Sequence, residues 1–163
     1  MARAPAAPEP DLPQPSRLWT AAEANRRLPQ LEELLPRLKT WALRLAEVHA
    51  EIARLTAFWG PEVDAPDHVD HERKSQLDLE EHHLHQRLEE AVAALRRDGI
   101  EVKDLEHGLV DFYGLVGGEL VFLCWRAPET DVAFFHPLDS GFRGRRPLPA
   151  HLRAAPAGAR DGA

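Results

Sequence analysis

The sequence predicts an α+β fold: a long, coiled-coil-like antiparallel helical hairpin over residues 20–98 packed on a C-terminal antiparallel β-meander of three to four strands over 100–137. Three observations carry that expectation. Apolar residues recur every three or four positions up to Leu95, the period falls to two after Gly99, and Gly117-Gly118 interrupts the alternating stretch at its middle.

Order is expected to begin at Trp19-Thr20-Ala21-Ala22-Glu23. Thr20 can accept from the first free amides while Glu23, three residues on, returns to the cap nitrogen, the capping-box pattern. Pro29 and Pro36 each remove an amide hydrogen bond, so the spacing predicts a short helix over 20–27 and a long one from 29. The long helix carries a stripe of Leu31, Leu35, Leu38, Ala42, Leu45, His49, Ile52, Thr56 and Trp59, with both prolines on the opposite side. Gly60-Pro61 ends it, Asp67 or Asp70 caps the next helix, and a second stripe of Leu77, Glu81, Leu84, Leu88, Ala91 and Leu95 runs to Asp98-Gly99. The short connection makes the two helices antiparallel neighbours.

Strands are expected at 100–102, 109–116, 119–126 and 131–136. Gly117-Gly118 suits a two-residue turn with positive φ, and Ala127 to Thr130 suit a four-residue turn that pairs Arg126 with Asp131. This register gives the sheet an apolar face of Val110, Phe112, Val116, Val121, Leu123, Trp125, Val132, Phe134 and His136, to be buried on the hairpin. The opposite face is mixed, with Asp111, Tyr113, Leu115, Leu120, Phe122, Cys124, Arg126, Asp131 and Phe135. Trp125 is then core. Asp111 lies opposite Cys124 and raises its thiol pKa, no histidine shares that face, and Arg126–Asp131 is a cross-strand ion pair. A mixed patch of this kind marks an interface or a ligand surface.

The chain has 163 residues, 44% hydrophobic and 29% charged, enough for one domain spanning 18–148. Residues 1–17, with five prolines, and 149–163 read as disordered tails. No apolar run is long enough for a membrane span or signal core, so a cytoplasmic location is expected. The net charge of −7 disfavours nucleic acid as a partner. Cys124 is the only cysteine, which rules out an intrachain disulfide and a multi-cysteine zinc cluster.

Nine histidines raise a metal question. His82, His83 and His85 project from a solvated helix flank, and capping accounts for Asp67, His68, Asp70 and His71. His49 sits on the core stripe opposite Leu79, Glu80 or Glu81, either as a structural pair with a glutamate, the favoured reading, or as half of a metal site. No metal and no cofactor is expected.

The stretches GLVDFYGLVGGELVFLCWR and FFHPLDSGFRGRRPL, with the helix start at Thr20, Glu23, Ala24, Asn25, Leu28 and Pro29, resemble a bacterial family of unknown function, domain-of-unknown-function family 2203. The resemblance covers Trp19 to Pro147 and departs at Phe135, where members often carry tryptophan. It implies a helical hairpin joined to this sheet and no activity. It directs attention to the polar loop 136–147.

The candidate binding residues are Asp111, Tyr113, Cys124, Arg126, His136, Asp139, Arg143 and Arg145. The function expected first is a binding or assembly module, engaging a protein partner or a second copy through the mixed face and the loop 136–145. The alternative is a small enzyme, or a metal- or ligand-binding protein, with a site around Asp111, Cys124, Arg126, His136, Asp139 and Arg145. No phosphate loop or nucleophile motif is present, which leans against an enzyme.

Overall fold

Thr20 closes the capping box: its amide donates to Glu23 Oε2 at 2.9 Å and its Oγ1 accepts from the Glu23 amide at 3.2 Å. From there the computed structural model, which describes residues 14–153, runs helix α1 without a break from Ala21 to Trp59. The expected division at Pro29 is not there. Both prolines lie on the exposed side, where the carbonyls they leave unpaired meet water, and Thr40 Oγ1 donates to the Pro36 carbonyl at 3.0 Å. Helix α2 (His71–Arg97) returns antiparallel after a 3-10 segment at Gly60–Asp64. Asp70 is its N-cap residue, but the Asp70 carboxylate accepts from Trp59 Nε1 at 2.8 Å instead of capping.

The stripe on α1 departs from the strict alternation beyond Leu38. Val48 is fully buried while the His49 side chain is three-quarters exposed. The two positions are 100° apart on the helix, and the branched apolar side chain takes the seam while the imidazole stays in water. His49 Nδ1 meets Glu81 Oε1 at 2.8 Å on the rim, so the pair exists outside the core. Arg44 takes Glu80 with two hydrogen bonds, at 2.6 and 2.9 Å.

Five antiparallel strands follow in sequential order, β1 (Ile100–Asp104), β2 (Leu109–Val116), β3 (Glu119–Arg126), β4 (Phe134–Pro137) and β5 (Arg146–Pro147). That is one strand more than expected. Gly117 and Gly118, with φ of 61° and 83°, make the two-residue turn, and β2 pairs β3 as the turn dictates. One sheet face buries Val110, Phe112, Val121, Leu123 and Trp125 against Ala24, Leu28, Leu31, Leu35 and Leu38 of α1 and Leu95 of α2. Trp19 ties the start of α1 to the sheet through its amide, which donates to the Tyr113 carbonyl at 2.7 Å.

The register of β4 differs from expectation by one residue. Cys124 pairs with Phe134, Leu123 with Phe135 and Phe122 with His136. Asp131 and Val132 do not join the ladder: the Val132 amide donates to Asn25 Oδ1 on α1 at 2.7 Å, and Asp131 accepts from Arg153 Nε at 3.2 Å. The Arg126–Asp131 pair therefore does not form. Since side chains alternate, the slip sends Phe135 to the core face and Phe134 and His136 to the other.

Of the expected tails, residues 1–13 and 154–163 lie outside the described residues. The inner parts are held to the body, Arg17 by Asp98 at 3.1 Å and Arg153 by Asp131. Among the described residues no helix is long and apolar enough to cross a membrane.

Candidate functional site

Three neighbouring strands each send one polar side chain to the sheet face turned away from the helices. Asp111 on β2 lies opposite Cys124 on β3, as the glycine turn requires, and the shifted register of β4 adds His136, which reaches across β3. His136 Nε2 stands 3.1 Å from Asp111 Oδ2. Donor atoms of Asp111, Cys124 and His136 all lie within 4.8 Å of one another. All three residues are buried, at 1%, 0% and 2% relative exposure.

The hydrogen bonds orient this cluster. His136 Nδ1 is 2.8 Å from the Pro137 carbonyl, which can only accept, so Nδ1 carries the proton and Nε2 is the atom turned inward. Burial pushes the Asp111 carboxyl above its ordinary value, against the opposing pull of His136. With Nδ1 donating to Pro137, the 3.1 Å approach of His136 Nε2 to Asp111 Oδ2 requires one proton between the two atoms. Asp111 Oδ1 is buried and accepts no hydrogen bond from nitrogen or oxygen among the described residues, and the thiol of Cys124 opposite is the carboxylate's further, weak donor. For Cys124, burial, reinforced by the charge of Asp111, pushes the thiol up to about 12.

Around the cluster the mixed face is closed by aromatic rings and long side chains. Tyr113 and Phe122 are buried with ring centroids 4.6 Å apart, and the Tyr113 hydroxyl donates to Glu101 Oε1 at 2.6 Å. Lys103 covers Phe122 and pairs with Glu101. Arg145, the residue before β5, falls beside His136 when the β4–β5 register is continued by one. Its guanidinium lies 4.1 Å from the centroid of Phe134, the cross-strand neighbour of Cys124, and 4.8 Å from that of Phe142. Arg145 Nη1 and Nη2 donate to the two carboxylate oxygens of Glu129 at 2.8 and 2.7 Å, a planar fork that leaves Nε buried with no partner among the described residues.

Asp111, Cys124, His136, Tyr113 and Arg145 are thus brought together. Arg126 stands at the rim, exposed, 5.4 Å from the Phe142 ring, while Asp139 and Arg143 are exposed on the following turn and 3-10 segment and reach none of the three donors. The expectation that no histidine shares the face of Cys124 fails with the register from which it was drawn. His82, His83 and His85 are exposed, and His49 with Glu81 forms only a pair. Glu129 and Glu101 were not singled out in the sequence. Glu129 sits three residues past the end of β3, where its Oε2 also accepts from the Arg126 amide at 2.9 Å, and nothing local marks it as the partner of Arg145.

Such an arrangement can hold a cation between a thiolate, an imidazole and a carboxylate. As a nucleophile it is poorly built, because the thiol is sealed from solvent, is held protonated, and faces an imidazole whose inward nitrogen is engaged by Asp111.

No curated protein and no solved structure matches this chain. The model of a family described as uncharacterized conserved protein, DUF2203, matches residues 17–148, a span that includes all five strands and the whole cluster, and the chain belongs to that family.

Proposed function

We propose that this protein binds a divalent transition metal of the zinc class through Asp111, Cys124 and His136, the metal-binding alternative of the two functions raised by the sequence. The observation that carries the reading is the inward aim of His136. Metal-ligating histidines donate their other ring N–H to a carbonyl or carboxylate, and His136 Nδ1 already does so to Pro137 while Nε2 looks into the cluster. Tetrahedral zinc, with ligands at roughly 2.0–2.3 Å, holds donor atoms about 3.3–3.8 Å apart. Donor atoms already within 4.8 Å need close by no more than about 1.5 Å to reach it. A sulfur and a nitrogen ligand favour zinc, cobalt or copper over magnesium or calcium, which take oxygen.

Two features of the cluster suit a cation. A bound cation takes the place of the proton between Asp111 and His136, and it gives the buried Asp111 carboxylate, whose further neighbour is the weak Cys124 thiol donor, a strong partner. Since the thiol must lose its proton to bind, affinity rises with pH below about 12. The mixed face is less suited to an assembly surface, because Phe122 is buried within it, Phe134 is half-buried under Arg145, and Leu115 is the large apolar side chain that its strands leave exposed.

Cobalt titration of untagged protein tests the reading. One Co²⁺ per chain with a sulfur-to-cobalt charge-transfer band is expected, lost in Cys124→Ser and His136→Ala, with zinc competing. A folded wild-type chain that takes up neither ion, and carries none by elemental analysis as purified, overturns it.

A further inference from the structure

Resting on the metal reading, a second question is what occupies the remaining position. Three side chains supply donors, and among the described residues no fourth acidic, histidine or cysteine group joins them. A tetrahedral ion with three protein ligands keeps one position for a non-protein ligand. On the same sheet face, beside His136 and over the ring of Phe134, lies Arg145, whose two terminal nitrogens are committed to Glu129 while its Nε–H is buried and unpartnered. A buried N–H without an acceptor is costly, so it favours a ligand that brings an oxygen to it.

We propose that the centre is completed by a small oxyanion of the carboxylate or bicarbonate class, one oxygen on the metal and another accepting from Arg145 Nε. Two further features define that ligand. The donors are all but sealed from solvent, which limits it to a few heavy atoms. The Glu129 carboxylate holds the guanidinium plane fixed by two parallel bonds and is itself tied to the Arg126 amide, so Arg145 presents Nε in one orientation and a planar anion fits it better than a spherical halide. Arg145 is accordingly a binding residue for the anion, and Glu129 a positioning residue for Arg145.

The experiment titrates Co²⁺-loaded protein with sodium acetate and, separately, sodium bicarbonate, with chloride as the control, and follows the visible cobalt bands, which report coordination. Saturable change with acetate or bicarbonate and none with chloride at equal ionic strength is expected. In Arg145→Gln the charge-transfer band should remain while anion affinity falls by about tenfold or more, the loss of one charge-assisted hydrogen bond. Glu129→Gln, which leaves the guanidinium in place but loosens its hold, gives a second variant should Arg145→Gln fold poorly; its anion affinity should change while its cobalt stoichiometry does not. Bands that ignore both anions in cobalt-loaded wild type overturn this inference and leave the metal reading standing. Equal anion response in wild type and both variants shows an adventitious ligand only and removes Arg145 from the site. Failure of wild type to load cobalt removes the metal reading itself.

Discussion

At Cys124 the chemistry of a thiol is decided by what surrounds it and not by its being the chain's single cysteine. With no exposure and Asp111 opposite, the thiol is held protonated, pushed up to about 12, and is expected to resist alkylation in the metal-free native protein. Thiol-reactive dye should label it only at the rate of unfolding, and labelling in seconds at neutral pH would contradict the burial. Gly114 is a second residue whose role is steric. A Cβ there would stand 2.7 Å from Leu123 Cγ and 2.9 Å from the Trp19 carbonyl oxygen. One of those neighbours is backbone, so Gly114→Ala cannot be absorbed by a rotamer change and should cost about 1–3 kcal/mol in denaturant unfolding.

Among the elements, α1 shows which local signals survive tertiary packing. Its capping box was legible from Thr-x-x-Glu, and Thr20→Ala should cost about 1 kcal/mol of stability. The bond from the Thr20 amide holds the Glu23 carboxyl below its ordinary value. A carboxyl lowered on folding contributes stability above its unfolded value, so this contribution is complete above about pH 4.5 and is lost as the pH falls through the folded value. Glu23→Gln should flatten that acid-side decline, read as the difference between the two pH–stability profiles. Further along, Val48 and His49 disagree with a strict heptad, and mutation can tell them apart. Val48→Ala should cost about 2 kcal/mol because a fully buried branched side chain is removed, whereas His49→Ala should stay within about 0.5 kcal/mol. The reverse order would restore the heptad read from the sequence.

For the whole molecule the core divides in two. The sheet, the first half of α1 and the end of α2 share one cluster, while Val48, Leu77 and Leu84 form a second, smaller one in the outer part of the hairpin. Three buried residues cannot hold that part as firmly, so its amides should exchange through local opening at a lower free energy than those of β2 and β3. Hydrogen exchange followed by mass spectrometry should show residues 45–58 and 72–84 deuterating well before 110–125. Uniform protection would mean that the hairpin and sheet open as one unit.

What the sequence by itself determined is whatever local periodicity and turn chemistry specify: the helical hairpin, though not the continuity of α1 through Pro29, the change to strands at Gly99, the glycine turn, the pairing of Asp111 with Cys124, and Trp125 in the core. Only the tertiary structure decided that His136 joins them. A one-residue shift of β4 reverses the face of every side chain on it, and the position of β4 depends on Asn25, 107 residues earlier, taking the Val132 amide out of the ladder. The same holds for Arg145 and Glu129, which are 16 residues apart and meet only because β5 turns back beside β4. Contacts of that range leave no period in the sequence, because they are set by where separate elements come to rest against one another.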